Sequence, residues 1–162
     1  MIDGRPLRVL HLIEDLGSGG AERLLYVNLS ALDRQAVESV VCHLYDRALH
    51  WRQPILDLGV PVDSLHLASM RDLARGVGRL QAWLRRHPVD VIHTHLYGAN
   101  LIGRIAAWRA GIPVVSSLHN PDYEPAIHVD NPRLTSGKAY VLRQLDRWTC
   151  RIARPNFVAV SE

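Results

Sequence analysis

Three groups of residues in this 162-residue chain have types and spacings that can do chemistry. The first is the turn Leu16-Gly17-Ser18-Gly19-Gly20, which follows an apolar run and opens a helical stretch at Ala21. Glycines let the backbone come close to a ligand, and the free amides and positive dipole end of the next helix suit a phosphate or diphosphate. The plain alternative is a tight strand-to-helix turn. The dinucleotide fingerprint G-x-G-x-x-G fits poorly, because Gly17 and Gly19 match but Glu22 stands at the third glycine position. The acid expected about 20 residues onward is also missing; Asp46 comes too late.

The second group is His93-x-His95, two imidazoles whose spacing puts them on one face of a strand. Such a pair can open a metal site, with His119 as a third nitrogen. No Asp, Glu or Cys stands beside them, so the better reading has no metal: His95 hydrogen-bonds a polar ligand and His93 is a satisfied, partly buried histidine. The third group is Ser116-Ser117-Leu118-His119-Asn120. Polar groups at a strand end suit a hydroxyl-rich substrate, and His119 can donate a hydrogen bond or accept a proton near neutral pH; a plain loop histidine is the alternative. There is no nucleophile elbow, no P-loop lysine after the glycines and no hydrolase triad context.

The elements that must position these groups follow from hydrophobic periodicity. Residues 7–13 form a nearly continuous apolar run, as in a parallel strand covered on both faces. Further strands are expected over 38–45, 61–67, 90–96, 113–118 and 156–160. Helices are expected over about 21–32, from a Ser69/Asp72 capping box to Pro88, over about 98–110 up to Gly111, and over about 136–153. The third of these is apolar almost all round and should be buried. The last should face the core with Val141, Leu145, Trp148 and Ile152. The polar segment 120–135 is long for a mere connection and is expected to act as a substrate lid or loop. Six strands alternating with helices describe a single α/β domain over 1–162, an open doubly wound, Rossmann-like, mostly parallel sheet. The expected strand order is 3-2-1-4-5-6, with its ligand crevice at the carboxyl ends of strands 1 and 4. The sixth strand ends the sequence, so the chain reads as half of a larger architecture.

Composition narrows the classes. Hydrophobic residues make up 48% and charged residues 22%, which argues for a globular domain over disorder. No apolar run is long enough to span a membrane, and no signal-peptide pattern opens the chain. Two isolated cysteines, Cys42 and Cys150, fit a reduced, cytoplasmic compartment. The net charge of +3 is interleaved with 16 acids and aromatics are only 6%, so no nucleic-acid partner is expected.

A set of motifs runs through the chain in order: Gly19-Gly20-Ala21-Glu22-Arg23 with Leu24-Leu25 and Asn28-Leu29, then Asp90-Val91-Ile92-His93-Thr94-His95. It continues with Gly98-Ala99-Asn100, Gly111-Ile112-Pro113-Val114-Val115, His119 and the closing Val158-Ala159-Val160-Ser161-Glu162. In these the chain resembles the amino-terminal, acceptor-side domain of family 4 glycosyltransferases, which have the two-domain GT-B fold. The resemblance implies transfer of a sugar from a UDP- or GDP-linked nucleotide-sugar donor to a saccharide or lipid-linked acceptor. It implies retention of configuration and no metal or other cofactor. On it, Gly19 and Gly20 approach the donor diphosphate, and His119 contacts the transferred sugar and assists the reacting centre. His95 and Asn100 stand where they can bind acceptor. The family's carboxy-terminal donor-binding domain is absent from these 162 residues, so the chain alone is expected to be inactive. The other readings are a non-catalytic nucleotide- or sugar-binding module, or half of an NAD-dependent or epimerase-type enzyme. Arg143, Arg147, Arg151 and Arg154 share one helical face, and Arg71, Arg75 and Arg79 repeat the pattern. Lipid-linked acceptors would make these stripes a peripheral contact with anionic membrane; a solvated helix face is the alternative.

Overall fold

The computed structural model describes residues 4–118 and 136–159. Strand β1 (Leu7–Ile13) is the centre of the sheet, and Leu10, Leu12 and Ile13 have no exposed surface. Burying each such side chain contributes about 1.5–3 kcal/mol. Around it lie α1 (Gly20–Ala31), β2 (Val37–His43), α2 (Arg52–Asp57), β3 (Val62–Ser64), α3 (Leu73–Arg86), β4 (Val91–His95), α4 (Tyr97–Ala110), β5 (Val114–Leu118), α5 (Ser136–Ala153) and β6 (Asn156–Ala159). The six strands are all parallel in the order β3-β2-β1-β4-β5-β6, as expected. Its topological switch point falls between β1 and β4, where register pairs His11 with His93.

Two cores flank the sheet. On one face Leu25 and Leu29 of α1 and Ile55 of α2 pack on Ile13 and Val41. On the other, Val77, Leu80 and Trp83 of α3 and Ile102, Ile105 and Ala106 of α4 pack on Leu10 and Leu12. Contact between α4 and the sheet is close: a Cβ on Gly103 would overlap the Thr94 methyl. Gly111 ends α4 in the left-handed region (φ 68°), and its N–H reaches the carbonyl of Trp108. The capping box at Ser69 and Asp72 forms as expected, but it opens a short 3-10 turn (Met70–Asp72) that leads into α3.

Three expectations need correction. The short helix α2 was missed, since six residues interrupted by Pro54 carry no full helical period. Strand β3 is only three residues long and pairs with Val41–His43, because the chain turns away at His66, whose φ is 49°. The third correction concerns the face of α5. Val141 and Trp148 are 56% and 48% exposed, while Ile152 packs on the core as expected and Leu145 is partly buried. The helix is turned by roughly a quarter of a revolution, which brings Asp146 and Thr149 inward to meet Arg104. That arginine is 1% exposed in the middle of α4; its Nη1 donates to Asp146 Oδ1 at 2.5 Å and its Nε to Ser116 Oγ at 3.1 Å. A buried guanidinium without a counter-ion is so costly that pairing overrides the apolar stripe. The expectation for α4 itself holds, since Gly98–Ala107 are all buried.

Candidate functional site

Strand β1 leads into Glu14 and the glycine turn, β4 leads into Leu96 and α4, and between these two exits lies the crevice. Leu96 has φ 71° and ψ 164°, a backbone state that is strained for any side chain and costs about 1–3 kcal/mol. Strain of this kind, placed at the switch point, aims the start of α4 at the crevice. The amino end of α1 points there too, so two positive helix ends flank one opening.

Each helix end meets a carboxylate of its own. Glu14 Oε1 accepts from Gly98 N–H at 2.6 Å. Glu22, 7% exposed in the first turn of α1, folds back against Gly19, where a Cβ would run into its carboxylate. Gly20 is the open side of this entrance, with no atom within 4 Å of the place a Cβ would take. Gly17 is held separately, its N–H donating to Asp15 Oδ1 at 3.1 Å. The turn is therefore open at Gly20 and closed by the Glu22 carboxylate at Gly19.

The polar residues of β4 divide between the two faces of the sheet. Thr94 faces α4, where its hydroxyl donates to Asn100 Oδ1 at 2.6 Å and lies 2.9 Å from Ser116 Oγ. Asn100 is 3% exposed and its carboxamide oxygen holds Thr94, so it ties α4 to the sheet. The family resemblance puts it, with His95, among the candidate acceptor contacts. His93 and His95 point to the opposite face, and the third imidazole beside them is His11 of β1. His95 is 2% exposed and lies under the crevice on the face that α1 covers. His11 is equally enclosed; burial first, and the neighbouring His93 second, push its pKa down to about 3, so the ring is neutral. Nothing in the spacing of residues pointed to His11, a polar interruption of an apolar strand; the register of β1 on β4 brings it there.

His119, the segment 120–135 and the closing motif from Val160 lie outside the described residues. Cys42 is buried and Cys150 partly so, both as free thiols, and burial pushes both thiol pKa values up. A cavity of about 730 Å³ opens at the other end of the sheet, among Arg8, Glu38, Asp63 and Trp83, remote from the switch point. Among the described residues no helix is long and apolar enough to cross a membrane.

Comparison with solved structures places this architecture. Anabaena HepE, solved with UDP and glucose, is 17% identical with a TM-score of 0.63, over 96% of this chain and 44% of that one. Neisseria meningitidis UDP-GlcNAc 2-epimerase, bound to UDP-GlcNAc, is 15% identical with a TM-score of 0.61, over 88% of this chain and 39% of that one. Acinetobacter baumannii MurG is 16% identical with a TM-score of 0.58, over 97% and 44%. At these identities the likeness is one of fold, and the chain spans less than half the length of these structures. Comparison with curated protein sequences gave no match. The profile of Glycosyltransferase Family 4, however, matches residues 18–162, from the glycine turn to the last residue. With its six parallel strands, its switch-point crevice and that match, the chain belongs to glycosyltransferase family 4.

Proposed function

We propose that this chain supplies the acceptor-side half of a retaining glycosyltransferase, which moves a sugar from a UDP- or GDP-linked donor to a saccharide or lipid-linked acceptor at the cytoplasmic face of a membrane. The observation that carries this reading is the glycine turn, matched from Ser18 onward by the family profile, opening at Gly20 into a crevice flanked by two helix amino ends. In this reading the donor diphosphate lies along Gly19 and Gly20, and Glu22 swings away as it arrives. His95 lines the floor under the acceptor, and His119 serves the transferred sugar. The transfer step uses no metal or other cofactor, because helix dipoles and amides can carry the diphosphate charge. Holding donor and acceptor together can lower a barrier by roughly 7–11 kcal/mol, and half a crevice cannot enclose both. Donor-dependent transfer is therefore absent from the isolated 162-residue chain, and measurable turnover by it refutes the half-enzyme reading.

Calorimetry with UDP and with GDP tests the diphosphate site. Gly20→Asp puts a carboxylate into the open entrance and abolishes binding, whereas Glu22→Gln removes the competing charge and tightens it. Unchanged affinity in Gly20→Asp overturns the assignment.

A further inference from the structure

Parallel register sets His11 beside His93, and alternation along β4 sets His95 on the same face. Ring centroids are 5.3 Å apart for His11 and His93, 4.2 Å for His93 and His95, and 5.9 Å for His11 and His95. One nitrogen from each ring lies within 4.8 Å of the other two. A tetrahedral ion with bonds of about 2.0–2.1 Å needs nitrogens roughly 3.3 Å apart, so the rings must turn inward to take one up.

The surroundings orient the rings. His93 Nε2 is 2.8 Å from Ser117 Oγ on β5, and His11 Nε2 is 3.4 Å from Ser39 Oγ on β2. Hydroxyls on the neighbouring strands β2 and β5 thus stand beside the Nε2 atoms of two rings, the kind of contact by which second-shell groups orient a ligating imidazole. Nδ1 of His11 is a buried polar atom with no hydrogen-bond partner, on a residue that is 5% exposed. A buried nitrogen left so carries a desolvation cost that a bound cation removes.

We propose that His11, His93 and His95 form a three-nitrogen site for a divalent cation of the zinc class, clamping β1 to β4 beneath the crevice. Three neutral imidazoles select zinc, copper or nickel over magnesium and calcium, which prefer oxygen. The fourth position belongs to water, entering on the side of His93, the partly exposed member of the three. The ion acts on the switch point as a fastener and has no part in the transfer step; the site shares His95 with the proposed acceptor floor, and ion binding is read with no sugar substrate present.

The test is titration of the chelator-stripped chain with Zn²⁺, followed by calorimetry and thermal unfolding. The expected result is one ion per chain, a raised melting temperature, and no response to Mg²⁺. His11→Phe abolishes this binding, Ser117→Ala weakens it about 10-fold or more through the loosened His93 ring, and His66→Ala leaves it intact. Should His11→Phe fail to fold, Co²⁺ in the unaltered chain decides: intense visible bands of a four-coordinate ion support the site. Weak six-coordinate bands, binding that survives in folded His11→Phe, or binding lost in His66→Ala overturns it.

Discussion

His11 shows how much of a side chain's chemistry comes from its neighbours. An imidazole ordinarily titrates near 6.5, and burial together with His93 holds this one down to about 3. The unfolded chain therefore takes up a proton that the folded chain refuses anywhere between those values. Stability from this source is complete above pH 6.5 and is lost as the pH falls toward 3, a total on the order of 4 kcal/mol. In chelator-containing buffer, urea unfolding of the native chain should weaken by about 2–3 kcal/mol from this group between pH 6.5 and 4.5. His11→Phe should follow a flatter profile, and equal slopes for the two proteins would show that His11 titrates normally. His93-x-His95 was legible as a same-face pair from its spacing, but its third member was not. Spacing pointed to His119 because that residue ends the neighbouring strand, whereas His11 is 82 positions away and meets His93 only through strand pairing. Asn100 illustrates the converse: a polar residue beside the crevice in sequence turns inward because Thr94 needs an acceptor.

The helices and strands were mostly legible, for a physical reason. Parallel strands buried on both faces read as apolar runs, and the stops at Pro88 and Gly111 are local backbone chemistry that no packing need supply. The face of α5 was legible in part: Ile152 packs on the core, but at Val141 and Trp148 a polar seam with α4 outranks the apolar stripe. Arg104, Asp146, Thr149 and Ser116 form that seam, with Phe157 of β6 stacked 5.4 Å from the guanidinium. Breaking one partner leaves a buried charge uncompensated. Arg104→Met or Asp146→Leu alone should each cost about 3–5 kcal/mol in urea unfolding, while the double variant recovers most of that loss. Additive losses in the double-mutant cycle would show that the pair does not orient α5.

Taken together, the fold presents a crevice at one end of the sheet and a basic helix along its flank. Arg143, Arg147 and Arg151 are exposed on α5, with Arg154 just past its end, and Tyr140 and Trp148 are exposed on the same helix, so cationic and aromatic side chains share one surface. The shorter stripe on α3 is less available, since Arg79 Nη1 donates to the carbonyls of Leu65 and His66 and Arg75 lies 3.7 Å from Asp72. Sedimentation with anionic vesicles tests α5 as a membrane contact. Each arginine near the surface is worth about 1 kcal/mol, so Arg143→Gln, Arg147→Gln and Arg151→Gln together should release the chain. Binding that is insensitive to these changes and to salt would assign the face to solvent.

Strand count, alternation with helices and the glycine turn could be read directly from residue order, because they rest on backbone preferences and on periodicity within a few residues. Strand order followed from them, since right-handed crossovers leave few arrangements. Which imidazoles share a face, which carboxylate lies over which helix end, and which side of α5 is buried depend on groups far apart in the chain. Those were settled by pairing across the sheet and by the need of each buried charge and polar atom for a partner, conditions that exist only once the chain has closed on itself.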